Sequence, residues 1–160
     1  LAVLHSRPLS SREPAPSMEI FSRPPVIRER PVISWETIDC EKPLPEWLWH
    51  ADQPSNTGYA LQVADFLPVY DRYVHPHWAL ATANYSLVKE FVMPAWIHVG
   101  SEIEQYHPFM VGTQITVQAA PVEKWKKKAH EFIRLNIRYS DERGVLATVL
   151  HTAIFRIAGA

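Results

Sequence analysis

The chain has 160 residues, 47% of them hydrophobic and 21% charged, with a formal net charge of −1, which is the composition of one ordinary soluble globular domain, able to bury roughly 70% of its unfolded surface. Cys40 is the lone cysteine, so no internal disulfide or structural zinc site is expected, and with no HExxH, GxGxxG or GxxxxGK(S/T) motif no other metal or cofactor site is expected either. Near-zero charge argues against nucleic acid as the main partner, and with no apolar stretch near the roughly 18 residues of a membrane helix and no leader-like opening, a cytoplasmic location is expected.

Eight of the fourteen prolines (Pro8, Pro14, Pro16, Pro24, Pro25, Pro31, Pro43 and Pro45) fall in the first 45 residues. Each removes an N–H and pushes its predecessor toward extended backbone, so residues 1–45 are expected to form an arm or linker and 46–160 the domain proper. The chain opens on Leu1 rather than Met, and the arm reads as a tether within a longer polypeptide. The alternation of Val32–Ile38 predicts one strand inside it, ended by EKPLPEW, Glu41–Trp47.

From Pro76 the period changes. Leu80, Ala83, Leu87, Val88 and Phe91 recur at three- and four-residue spacing, which predicts an amphipathic helix that starts near Pro76 and stops before Pro94. Four strands follow: WIHVGSEIEQY (96–106), TQITVQAAPVEKW (113–125), HEFIRLNIRYS (130–140) and VLATVLHTAIFRI (145–157). In the third, Ile133, Leu135, Ile137 and Tyr139 alternate with Arg134, Asn136 and Arg138, the pattern of a sheet with one buried face. Turn chemistry at HPFMVG, KWKKKAH and SDERG joins them as successive antiparallel strands.

One helix followed by four antiparallel strands is the order of an α+β hotdog domain, a sheet wrapped around a central helix. The stretch NTGYALQVADFLPVYDRYVHPHWALATANYSLV (56–88) resembles the segment of MaoC-like acyl-CoA hydratases in which a polar loop leads through a short helix to a histidine that opens the central helix. HPFMVGTQITVQAAPVEKW (107–125) looks like the turn and strand that follow there. The resemblance covers residues 50 to 157. HPHWALATANYSLV, AWIHVGSE and HTAIFR are also similar to an uncharacterised MaoC-like group in which this domain is the second half of a double hotdog.

The resemblance implies an acyl-CoA or acyl-carrier thioester bound in a groove completed by a second unit, in a homodimer or double hotdog. MaoC-like hydratases hold a water with an Asp/His pair in a D-x-N-P-x-H loop. HADQPSN (50–56) matches it with Asp52 at the aspartate and Asn56 at the histidine. An amide cannot exchange protons near neutral pH, and the acid–base step it replaces is commonly about 10²- to 10⁴-fold in rate. The residues implied as catalytic are then Asp52 and His75, with His50 as a substitute on the other side of Asp52. The thioester carbonyl in this fold takes a backbone N–H at the central helix start. Pro76 has none, so that donor moves to His77 or Trp78.

Along the first strand after the helix, simple alternation puts Trp96, His98, Gly100, Glu102, Glu104 and Tyr106 on one face and Ile97, Val99 and Ile103 on the other. His98 is the pocket candidate among them, joining Asn56, His77 and Trp78 as substrate-binding residues, while Glu104 reads as solvated and His151 as a satisfied core histidine. Three readings stay open. A hydratase or dehydratase variant needs His75 or His50 beside Asp52. A thioesterase needs a lone carboxylate, Asp71 or Glu102, opposite the helix start. A non-catalytic acyl-binding half needs the groove filled by side chains such as Trp78 and Trp96.

Overall fold

The computed structural model describes residues 4–5 and 30–158. The elements are β1 (Leu4–His5), β2 (Trp47–His50), α1 (Gln53–Gln62), a 3-10 turn (Pro68–Asp71), α2 (His77–Val88), β3 (Ile97–Gln105), β4 (Gln114–Lys127), β5 (His130–Asp141) and β6 (Gly144–Arg156). The strands form one sheet in the order β1-β3-β6-β5-β4-β2, antiparallel throughout except where β1 pairs parallel to β3.

Local chemistry sets the turns of the meander β4–β5–β6. Lys128 and Ala129 take φ of 51° and 61° between β4 and β5, the mirror-image turn whose twist suits antiparallel strands. Gly144, at φ 109°, opens β6, and the Asp141 carboxylate accepts the Arg143 N–H at 2.8 Å just before it. Alternation then turns Ile133, Leu135, Ile137 and Tyr139 of β5, with Ile115 and Val117 of β4 and Val149 and Phe155 of β6, into full burial. They form one core with Ala79, Ala83 and Leu87 of α2, whose alanines let the helix lie close to the sheet. At the centre the Tyr139 hydroxyl donates to the Ala79 carbonyl at 2.7 Å and lies 3.0 Å from Thr82 Oγ1. This is the α+β hotdog arrangement that the resemblance implied.

Three local expectations are corrected. The strand over Val32–Ile38 does not form: Val32 makes a single bridge to Val92, while the Ser34 N–H donates to Thr37 Oγ1 at 2.8 Å and the Thr37 N–H to Ser34 Oγ at 3.3 Å. Short hydroxyl side chains there satisfy the backbone locally and divert it from a ladder. The buried face of α2 is Ala79, Thr82, Ala83, Ser86 and Leu87, which keeps Ala83 and Leu87 of the predicted stripe and leaves Leu80 and Val88 half-buried, with the Tyr139 hydroxyl meeting the helix at Ala79 and Thr82. Finally, the pairing of β3 with β6 shifts register between His98 and Gly100. Ile97 and Val99 share the outward face, 45% and 43% exposed, and the bulge inverts the alternation beyond them.

Of the expected 1–45 arm, residues 30–45 supply Ile33, Ile38 and Leu44 to the core, and β1 pairs Leu4 and His5 with Ser101 and Glu102. Its residues 1–3 and 6–29 lie outside the described residues.

Candidate functional site

Between residues 50 and 78 the polar side chains singled out for acid–base chemistry are engaged with backbone. Asp52 caps α1, its Oδ1 accepting the Ser55 N–H at 2.8 Å, and that hydrogen bond holds its carboxyl below the usual carboxylate range. Asn56 is 1% exposed. Its Nδ2 donates to the Tyr70 and Tyr73 carbonyls at 2.9 and 3.0 Å, and its Oδ1 accepts the His75 N–H at 2.7 Å, so it staples α1 and the 3-10 turn to the entry of α2.

His75 completes that entry. Its Nδ1 accepts the His77 N–H at 3.1 Å, which leaves the ring proton on Nε2, facing Asp65 Oδ2 at 3.4 Å. The Tyr70 hydroxyl donates to the same Oδ2 at 2.9 Å. The carboxylate that the structure brings to His75 is therefore Asp65 rather than Asp52, and the other ring nitrogen serves as a cap. His50 is exposed on the edge strand β2. Sequence spacing missed Asp65 because it sits ten residues before His75 in the loop that closes α1, inside no family motif.

The backbone donors at the helix start are equally committed. The His77 N–H meets His75 Nδ1 at 3.1 Å, and the Trp78 N–H donates to the His75 carbonyl at 3.0 Å. The His77 ring stacks on Tyr59 at 3.7 Å between centroids and 6° between planes. Burial, with His75 adding to it, pushes the His77 imidazole down from its ordinary value. Trp78 lines, with Trp49, Asp52, Ser55 and Asn56, a hollow of about 40 Å³, room for a few waters and not for an acyl chain. Its Nε1 is buried without a hydrogen-bond partner among the described residues. A larger hollow, about 280 Å³, lies on the far side of α1 between Asp65, Tyr70, Leu61, Phe66 and Leu67, the last three 59, 71 and 57% exposed.

A second polar cluster lies on the inner face of β3 and β6. Because of the bulge, His98 and Ser101 point the same way: His98 Nε2 is 3.0 Å from Ser101 Oγ, which is 2.8 Å from His151 Nδ1. The two imidazoles stack at 4.5 Å and 9°, with Trp96 stacked on the outer side of the set, 5.8 Å from His151, and its Nε1 donating to Asn84 Oδ1 of α2 at 2.9 Å. Burial first, and His98 second, hold the His151 imidazole down at about 4. His151 is only half satisfied, since its Nε2 is buried with no partner among the described residues. Strict alternation puts Ser101 on the face of Ile97, Val99 and Ile103, opposite His98, so the one available signal was the Gly100–Ser101 step within an otherwise regular strand.

Of the two carboxylates considered for a thioesterase, Asp71 ends the 3-10 turn in solvent. Glu102 is exposed on the outer face of the sheet and borders a shallow hollow with Glu104, Asn136 and Thr148.

No protein-family model and no curated protein matches the chain. Solved structures do. The monoamine oxidase regulatory protein from Archaeoglobus is similar at a TM-score of 0.65 and 18% identity, over 81% of this chain and 98% of that one. A hot-dog-like protein from Thermanaerovibrio acidaminovorans is similar at 0.54 and 15%, over 68% and 77%. An (R)-hydratase from A. caviae involved in PHA biosynthesis is similar at 0.54 and 16%, over 70% and 92%. Likeness at this identity establishes the fold.

Proposed function

We propose that this hotdog domain, of the MaoC-like kind, binds an acyl thioester, acyl-CoA or acyl-carrier, without hydrating it, in a groove completed by a second hotdog unit. The observation that carries the reading is Asn56. At the position where a hydratase loop would hold its proton-exchanging histidine, this chain has a buried amide with both ends engaged in backbone hydrogen bonds. Asp52 and His75 then act as caps, and the hollow that Trp78 lines beside Asp52 and Asn56 is too small for an acyl chain. The exposed Leu61, Phe66 and Leu67 beside Asp65 and Tyr70 supply apolar surface of the kind an acyl chain or a second unit covers. The hydratase among the similar structures supports the substrate class by analogy of fold.

The test titrates the full chain with a series of saturated and 2-enoyl-CoA thioesters, following tryptophan fluorescence for binding and enoyl absorbance for hydration. The reading expects a saturable fluorescence change that depends on acyl length, with enoyl absorbance constant against buffer. Loss of enoyl absorbance above the blank, abolished in Asp52→Asn, would overturn it in favour of a hydratase.

A further inference from the structure

We infer that Ser101, held between His98 and His151, is a nucleophile that accepts the acyl group of an activated ester or thioester, His98 taking its proton. The inference goes beyond the binding reading and rests on it only for the thioester as natural donor.

Three observations converge on this cluster. The bulge at Val99 adds one residue to β3, and without it Ser101 would share the outward face with Val99; bulges of this kind re-aim side chains and are over-represented beside active sites. The Oγ atom stands 3.0 Å from His98 Nε2 and 2.8 Å from His151 Nδ1, both inside the range of a nucleophile and its base. His151, fully buried, leaves its Nε2 unpartnered among the described residues, a minority state for a buried polar atom.

Proton counting assigns the roles. Ser101 carries one hydroxyl hydrogen, so only one of the two nitrogens can accept it. Burial keeps His151 neutral and makes it a poor base, so it donates Nδ1–H to Oγ and orients it. The hydroxyl hydrogen then points to Nε2 of His98, the half-exposed member of the set. Attack forms the Oγ–C bond and moves the carbonyl π pair onto oxygen while His98 Nε2 takes the hydroxyl proton. Collapse breaks the C–S bond, and the thiolate leaves with that proton. The products are a Ser101 ester and a free thiol, with no oxidant or further reactant.

The test incubates the full chain with butyryl-CoA and, separately, with p-nitrophenyl butyrate, an ester that needs no thioester recognition. Expected are about one equivalent of leaving group released per chain in a burst and one butyryl group on the peptide carrying Ser101. Ser101→Ala abolishes both and His98→Gln slows the burst by about 10²-fold or more, with unfolding curves showing that the variants fold. If Ser101→Ala does not fold, Ser101→Cys replaces it and is expected to be acylated at the new thiol. Unmodified Ser101 after both donors overturns the inference, as does acylation of folded Ser101→Ala at the rate of the unchanged protein or a folded Ser101→Cys that takes up no butyryl group. Acylation by the ester with no binding of butyryl-CoA keeps the nucleophile and overturns the thioester reading; saturable binding of butyryl-CoA with no acylation by either donor does the reverse.

Discussion

Asp52, the cap of α1, and Asn56, within it, lie one helical turn apart, yet their surroundings make them unequal. Asp52 caps from a partly exposed position, so Asp52→Ala is expected to cost about 1 kcal/mol of stability. Asn56→Ala strands the Tyr73 carbonyl and the His75 N–H and leaves the Tyr70 carbonyl only its bond from Gln53 Nε2, and should cost about 2–4 kcal/mol. Urea unfolding of the two variants measures the contrast; a catalytic rather than structural Asn56 would leave the curve nearly unmoved. His151 sets a pH dependence. Its folded pKa of about 4 lies below the ordinary 6.5, so on acidification the unfolded state takes its proton first. The stability this neutral histidine contributes is full above pH 6.5 and is lost as pH falls toward 4, by about 3 kcal/mol. Urea midpoints measured across that window should fall less steeply in His151→Gln than in the unchanged chain.

Between elements, the α2–sheet contact depends on one hydroxyl. Burial pushes the Tyr139 phenol well above its ordinary pKa, so it stays protonated and ties β5 to the helix through Ala79 and Thr82. Tyr139→Phe keeps the ring in place and is expected to cost about 1–2 kcal/mol, seen as a lower denaturation midpoint at unchanged slope. The elements most legible in the sequence are those whose period is long and uninterrupted: α2 begins one residue after the predicted Pro76, and each of the four strands from Ile97 to Arg156 lies within two residues of its predicted ends. What stayed hidden depends on breaks in period or on contacts distant in sequence. The Val99 bulge shifts every later residue of β3 by one face, and no count of alternation shows an insertion whose partner lies fifty residues on in β6. Asp65, likewise, reaches His75 only because Asn56 folds the intervening loop back. Asp52 in its loop and His75 at the helix start were legible as polar residues of one segment, while the bonds that use their polar atoms for capping were not.

At the scale of the whole molecule, one edge of the sheet is β2, four residues long and paired only to β4. Leu48 there is 64% exposed, a short and incompletely covered edge of the kind partners complete. Sedimentation at rising concentration is expected to show a paired species, and Leu48→Lys to weaken it; a monomer throughout would mean that pairing needs a different partner. The order of the strands has a kinetic consequence as well. β4, β5 and β6 follow one another in the chain and pair in sequence, whereas β3 must wait for β6, the last strand made, before it finds its neighbour. Loop closure therefore favours the meander as the first ordered unit, with β3, carrying His98 and Ser101, added afterwards. Native-state hydrogen exchange should accordingly find the slowest amides in β5 and faster ones in β3. The half of the Ser101 cluster that β3 supplies would then be the half that opens first, and the buried histidine it covers would meet solvent through local opening long before the protein unfolds.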